Sequence, residues 1–148
     1  MRIVAGSDHA GLALKRALLD KLRGAGFEVQ DLGTYDQLSC DYPDFAELVG
    51  RAVGGGMAEF GLLCCGTGQG MAMTANRIPG VRAAVCSDTF SAHATRQHND
   101  ANVLCLGERV VGAGLAEDIV LAFLGAAYEG GRHARRVEKM AALDRSGS

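Results

Sequence analysis

Apolar positions along the chain follow two alternating periods, one short enough for buried strands and one with the spacing of amphipathic helices. Residues 2–6 read as a short buried strand, after which Leu14, Leu18, Leu19 and Leu22 recur at helical spacing opposite Lys15, Arg16, Asp20 and Lys21. Gly24-Ala25-Gly26 stops that helix, and residues 27–32 alternate apolar with polar as a second strand. Asp41-Tyr42-Pro43-Asp44 opens a helix whose Phe45, Leu48, Val49, Ala52 and Val53 share one face; proline suits its first turn, where an N–H has no helical partner. Gly54-Gly55-Gly56 closes it. Residues 60–65 are the third strand, a short helix follows to residue 76, Ile78-Pro79-Gly80 is a turn, and residues 82–86 are the fourth strand. Ser87-Asp88 caps a helix through residue 97, residues 98–102 form a polar loop, and residues 103–106 are the fifth strand. Two helices close the chain: 113–124, with Ala116, Ile119, Val120, Phe123 and Leu124 in register, and 132–143, with only Val137, Met140, Ala141 and Leu143 on its apolar stripe.

Strands that each lead into a helical pattern call for crossover connections, hence a parallel sheet covered on both faces. The expected architecture is a three-layer α/β/α, Rossmann-like domain with a five-stranded parallel sheet and an extra C-terminal helix. With so little to bury, that last helix is expected to pack on another subunit. At 148 residues the chain suits one domain, taken as residues 1–145 with a frayed tail at 146–148; folding a chain of that size buries roughly 68–70% of its unfolded surface.

Formal net charge is −2, and no basic run is long enough to track a nucleic-acid backbone, so nucleic acid is not an expected partner. The chain enters a strand directly without a cleavable leader, and no apolar stretch approaches the ~20 residues of a membrane helix, so a soluble cytoplasmic protein is expected. The five cysteines are an odd set without the paired spacings of a structural zinc site, and no metal is expected. Reduced thiols imply a reducing compartment. Cys86 and Cys105 lie in strand-like runs and read as small buried hydrophobes, while Cys64 and Cys65, neighbours on one strand, must face opposite ways.

The chemistry concentrates at Cys65-Gly66-Thr67-Gly68-Gln69-Gly70, where an apolar strand runs into three glycines at alternate positions. A glycine loop between a strand and a helix bares backbone N–H groups to an anion, and a thiol at its lip can serve as base or nucleophile. Ser7-Asp8-His9 and Ser87-Asp88 follow strands one and four and so join the same carboxyl edge, the edge at which open α/β sheets bind ligands. Asp8-His9 reads either as a turn with a helix cap or as a pair of ligand contacts. Arg132 and Arg136 stand four apart, so they either close on one phosphate or form a solvated face. Arg109, just past strand five, is a further anion contact. His98 and Asn99 precede strand five, on the opposite edge, and can reach the thiol only by a long excursion or from a second subunit.

Taken together, Gly6-Ser7-Asp8-His9-Ala10-Gly11, Asp41-Tyr42-Pro43, Cys65 through Gly70, Ala75-Asn76, Arg96-Gln97-His98-Asn99-Asp100, residues 107–110 and Glu129-Gly130-Gly131-Arg132-His133 resemble the type B ribose-5-phosphate isomerases. That family also includes allose- and galactose-6-phosphate isomerases, and the resemblance spans nearly the whole chain. It implies interconversion of ribose 5-phosphate and ribulose 5-phosphate through an enediolate, without metal or organic cofactor. It matches Cys65 to the proton-transferring base, with Thr67 as a further catalytic residue, and Gly66 through Gly70 (Gly66, Thr67, Gly68, Gln69 and Gly70) to the amides that hold the enediolate oxygen. It matches His98 to the residue that assists ring opening, Asn99 and Asp8 to sugar contacts, Tyr42 to a substrate contact, and His9, Arg109, Arg132 and Arg136 to sugar or phosphate contacts. It further implies the sheet order 2-1-3-5-4 and a homodimer, or a dimer of dimers, with sites shared between subunits. Some members place a glutamate after the glycines and a serine at the cysteine position; here Met71-Ala72-Met73-Thr74 offers no carboxylate, and the cysteine type fits. The rival readings are a six-carbon sugar-phosphate isomerase, a non-catalytic partner subunit, and a nucleotide-binding module. The last has the wrong glycine spacing, on the third strand instead of the first.

Overall fold

In the computed structural model, which describes residues 1–146, the strands are β1 (Arg2–Ser7), β2 (Glu28–Asp31), β3 (Phe60–Cys65), β4 (Ala83–Val85) and β5 (Val103–Gly107). They pair in parallel in the order β2-β1-β3-β5-β4. The connecting helices are α1 (Leu12–Gly24), α2 (Tyr42–Gly54), α3 (Gln69–Ala75), α4 (Thr89–Asn99) and α5 (Ala113–Leu124), with α6 (Ala134–Ser146) at the end. Pleat alternation fills both faces of the sheet. Ile3, Ala5, Leu62, Cys64, Leu104 and Leu106 meet the apolar sides of α1, α4 and α5, while Val4, Leu63, Cys65, Val103 and Cys105 meet those of α2 and α3. The three-layer α/β/α expectation and the implied strand order both hold. The short edge strand β4 is closed off by a side chain: Asn76 Nδ2 donates to the Ala83 carbonyl and its Oδ1 accepts from the Ala83 N–H.

Four details differ from the periodicity. Lys15, expected on the polar face of α1, is fully buried, and its Nζ donates to Asp31 Oδ1 at 2.8 Å and to the Thr34 carbonyl at 2.6 Å. Those acceptors offset the desolvation that otherwise keeps lysine outside. Leu48 is half exposed because α2 turns Ala46, Val49, Gly50 and Val53 inward; a Cβ on Gly50 would stand 3.0 Å from Ile78 Cγ1, so the small residues let α2 approach. His98 and Asn99 belong to the last turn of α4, not to a loop. The helix runs on to Asp100, whose left-handed φ of 51° ends it and whose carboxylate accepts from Arg96 Nη1 at 2.9 Å and Arg82 Nη2 at 3.3 Å. The last helix starts at Ala134, so Arg132 lies in a tighter 3-10 turn, Gly131–His133, held by the His133 N–H on the Gly130 carbonyl. The backbone of α6 includes Ser146, and the expected fraying at Gly147 and Ser148 lies outside the described residues.

Candidate active site

The chain leaves β1 toward β2 on one side and later returns to β3 on the other, so the connections diverge at the carboxyl ends of β1 and β3 and leave a crevice there. Two expected site residues flank it. Ser7 is level with Cys64 in the sheet, and the Asp8 N–H donates to the Cys64 carbonyl at 3.3 Å, which sets Asp8 next to Cys65. Cys65 is 5% exposed, and the Gly68 N–H donates to its Sγ at 3.1 Å. The loop achieves this by turning sharply: Gly68 has φ +82°, and a Cβ there would press on the Leu106 backbone at 3.1 Å.

Around this thiol the structure gathers most of the expected residues. Tyr42, at the start of α2, lays its ring against Gly70 so closely that a Cβ on Gly70 would fall 2.3 Å from Tyr42 Cε1. His9 Nδ1 accepts from the Cys40 N–H at 3.2 Å, so neutral His9 carries its proton on Nε2 and presents a donor. Asp8 Oδ1 accepts from the N–H groups of Ala10 and Gly11, both at 3.0 Å, so the helix-cap reading describes this oxygen. Its Oδ2 has no hydrogen-bond partner among the described residues. Thr67 Oγ1 accepts from the Gln69 N–H at 3.3 Å, leaving its own hydroxyl hydrogen to donate. Gly66 and Arg109 are joined through the Arg109 N–H on the Gly66 carbonyl at 3.1 Å, and the Arg109 Nε lies 3.8 Å from where a Gly66 Cβ would stand.

Two residues here were given no role by the sequence reading. Glu108 donates its N–H to the Cys65 carbonyl at 2.9 Å and accepts from the Leu14 N–H at 2.8 Å, tying the ends of β3 and β5 to the first turn of α1. Cys40 closes over His9 from the loop after β2. The other core thiols are electrostatically quiet. Burial pushes Cys64 up against the pull of the Lys15 ammonium, raises Cys105 well above its ordinary value, and takes Cys86 up to about 11 with Asp88 adding to the effect.

A second cluster forms elsewhere. The His98 ring stacks on His133 with centroids 4.4 Å apart and planes 17° from parallel. His133 is buried, and desolvation, then His98 and Arg132, hold its imidazole below the ordinary histidine range, with Glu129 acting the other way. The Glu129 N–H donates to the Gln97 carbonyl at 3.0 Å, which fastens this segment to α4. Asn99 Oδ1 accepts from the Thr95 hydroxyl at 3.1 Å, and Arg132 and Arg136 are exposed beside His133. Under α6, a cavity of about 390 Å³ is lined by Asn99 and Thr95 together with Met140 and Leu143. The cluster belongs to the sheet's amino edge: Asn102, three residues beyond Asn99, accepts through its carbonyl from the N–H of Gly61 near the start of β3, whereas Cys65 ends that strand, about 13 Å on at ~3.3 Å per residue. One chain therefore unites Asp8, His9, Tyr42, Cys65 through Gly70 and Arg109, and leaves His98, Asn99, Arg132 and Arg136 apart from them. Among the described residues, His98, Glu129 and His133 are the one group whose donor atoms could hold a metal ion.

A parallel α/β sheet with a thiol, bared amides, a histidine donor and an arginine at its switch point defines an α/β protein built to hold a small anionic molecule. The chain belongs to the ribose/galactose isomerase family, whose sequence model matches residues 3–140. It is similar to ribose-5-phosphate isomerase B of Escherichia coli (strain K12), at 50% identity over 143 residues, covering 97% of this chain and 96% of that one. The fold is similar to that of Clostridium thermocellum ribose-5-phosphate isomerase B, with a TM-score of 0.98 and 50% identity over 100% of both chains. It is also similar to Mycoplasma genitalium ribose-5-phosphate isomerase B solved with bound ribulose-5-phosphate, with a TM-score of 0.93, 43% identity, and coverage of 97% of this chain and 96% of that one.

Proposed function

We propose that this protein interconverts D-ribose 5-phosphate and D-ribulose 5-phosphate through an enediolate, with Cys65 as the base. The observation that carries this reading is the 3.1 Å bond from the Gly68 N–H to Cys65 Sγ, which fixes a thiol at the lip of the amide loop and beside Asp8. Aldose–ketose exchange moves one proton between adjacent carbons, so a single base must reach both. As its thiolate, Cys65 takes the proton from C2; the C–H electron pair forms the C1–C2 double bond and the C1 carbonyl pair moves onto O1. The O2 hydroxyl proton then passes to O1, the C2 carbonyl forms, and the thiol returns its proton to C1. The negative charge that develops on the sugar oxygen is met by the amides of the glycine loop, a contribution that needs no reorganisation at the moment of reaction. Thr67 offers its hydroxyl hydrogen and Asp8 its Oδ2 to the sugar hydroxyls, while His9, through Nε2–H, and Arg109 supply further contacts.

His98, Asn99, Arg132 and Arg136 complete the site from a second subunit: His98 assists ring opening, Asn99 contacts the sugar, and the two arginines hold the phosphate. The separation of the two clusters within one chain supports a homodimer, or a dimer of dimers, with shared sites. A cytoplasmic setting agrees with five free cysteines and with the lack, among the described residues, of a helix long and apolar enough to cross a membrane. The test is turnover of ribose 5-phosphate and allose 6-phosphate by the purified chain, with and without a chelator. Metal-independent conversion that favours ribose 5-phosphate is expected; turnover of the six-carbon sugar alone overturns the substrate, and inactivity on both overturns the enzyme.

A further inference from the structure

His133 is 8% exposed, yet its Nε2 makes no hydrogen bond among the described residues. A buried nitrogen left in that state carries a desolvation cost that no group among the described residues offsets, and it calls for a partner. The carboxylate closest to serving is Glu129, whose Oε2 stands 3.9 Å away, beyond hydrogen-bond reach. His98 lies on the other side of the ring. One donor atom from each of His98, Glu129 and His133 lies within 4.8 Å of the others.

Two imidazole nitrogens and one carboxylate oxygen are the ligand set of borderline-soft divalent ions. Bonds of about 2.1 Å in a tetrahedral arrangement put such ligands about 3.4 Å apart, so even a pair at the full 4.8 Å must close by about 1.4 Å. The half-exposed Glu129 side chain and the partly exposed His98 ring have room for that movement, which turns the His98 ring out of its near-parallel stack on His133 so that both in-plane lone pairs can reach one ion. The backbone is already set: the Glu129 N–H is held by the Gln97 carbonyl, next to His98, and the His133 N–H by the Gly130 carbonyl. Arg132 and Arg136 oppose a cation here, so binding is moderate and reversible.

We propose that His98, Glu129 and His133 form a site for a divalent ion of the zinc class, and that its occupancy switches the enzyme off by taking up the His98 imidazole. The ion is an inhibitor, not a cofactor: a lone pair bonded to metal is withdrawn from the sugar. This inhibitory half rests on the isomerase reading above, whereas the binding half does not.

The experiment uses the metal-free, 148-residue protein and Co²⁺ as an optical probe, with Zn²⁺ as competitor. Visible ligand-field bands are expected, displaced by Zn²⁺, weakened at least tenfold in apparent affinity by Glu129→Gln and by His133→Asn, and unchanged in Cys65→Ala. Glu129 is half exposed, so its variant keeps the test valid even if His133→Asn misfolds. In the ribose 5-phosphate assay, Zn²⁺ should inhibit the unmodified chain. Glu129→Gln should keep metal-free turnover within twofold and require at least tenfold more Zn²⁺ for half-inhibition. An absence of bands, bands untouched by Glu129→Gln, or bands lost in Cys65→Ala overturns the site. Full turnover with the site saturated overturns the inhibition. Co²⁺ bound as expected by a protein that fails to isomerise the sugar without metal defeats the isomerase reading and leaves the metal site standing.

Discussion

Adjacent residues on a strand share a backbone but not an environment, and Cys64 and Cys65 carry that difference into chemistry. Cys64 is 0% exposed among the side chains facing α1 and α5, where burial raises its pKa and keeps it a thiol. Cys65 faces the other layer, at the end where the strand opens into the amide loop, and its sulfur accepts from Gly68. Cys65→Ala should therefore lower kcat by about 10²–10⁴-fold, the range of a lost general base, while sugar-phosphate binding survives on the amides and arginines. Cys64→Ala should keep turnover and cost about 1 kcal/mol of stability, the usual size of a single-substitution effect. Steady-state kinetics with thermal melts checks both, and an inactive Cys64→Ala with an active Cys65→Ala would overturn the assignment of the base. The reactive thiol was legible because three glycines at alternate positions mark a turn of bared amides. Glu108 was not, because its partner Leu14 stands 94 residues away in sequence and only the folded sheet edge brings them together. His133 was passed over for the arginines around it, and its burial depends on stacking against α4.

Elements are placed by apolar stripes, and a stripe says little about a charged residue that folding draws inward. Lys15 fastens α1 to the end of β2 and to the Thr34 carbonyl, and Arg16 adds a bond from its Nη2 to the Tyr35 carbonyl at 2.6 Å. These bonds hold the start of the loop that carries Cys40 over His9. Lys15→Met preserves an apolar stem but leaves the Asp31 carboxylate with only the Gly33 N–H as a hydrogen-bond donor among the described residues, and takes the Nζ donor from the Thr34 carbonyl. We expect a loss of about 3–5 kcal/mol in urea unfolding, the cost of breaking a buried pair, with faster amide exchange at Cys40. A loss under about 1 kcal/mol would show that the ammonium contributes no more than a methionine in the same space. The same limit on pattern reading explains α4: His98 and Asn99 are polar and read as loop, yet Arg96 and the left-handed Asp100 carry the helix through them. That extra turn matters, because a histidine on a capped helix has a fixed direction that a loop histidine lacks.

At the scale of the molecule, strand–helix alternation announced a parallel sheet, whereas the order of its strands came only from the family resemblance, since periodicity carries no information about which strands are neighbours. The observed order sets Asp8 beside Cys65 and keeps His98 with His133 at the other edge of the sheet. If both groups act on one sugar phosphate, two subunits must share each site, and a two-fold arrangement gives every dimer two sites built from opposite halves. Mixing inactive Cys65→Ala with inactive His98→Ala under conditions that exchange subunits then restores activity, because each heterodimer holds one site with both residues intact and one with neither. Equal mixing and random exchange make about half of the dimers heterodimers, so recovery should approach about a quarter of the unmodified activity when the sites act independently. Mass spectrometry of the mixture measures the exchange, and the assay measures the recovery. Exchange without recovery would mean that Cys65 and His98 do not serve one site across a subunit boundary, and the arginines beside His133 would then lose their assignment to the phosphate along with it.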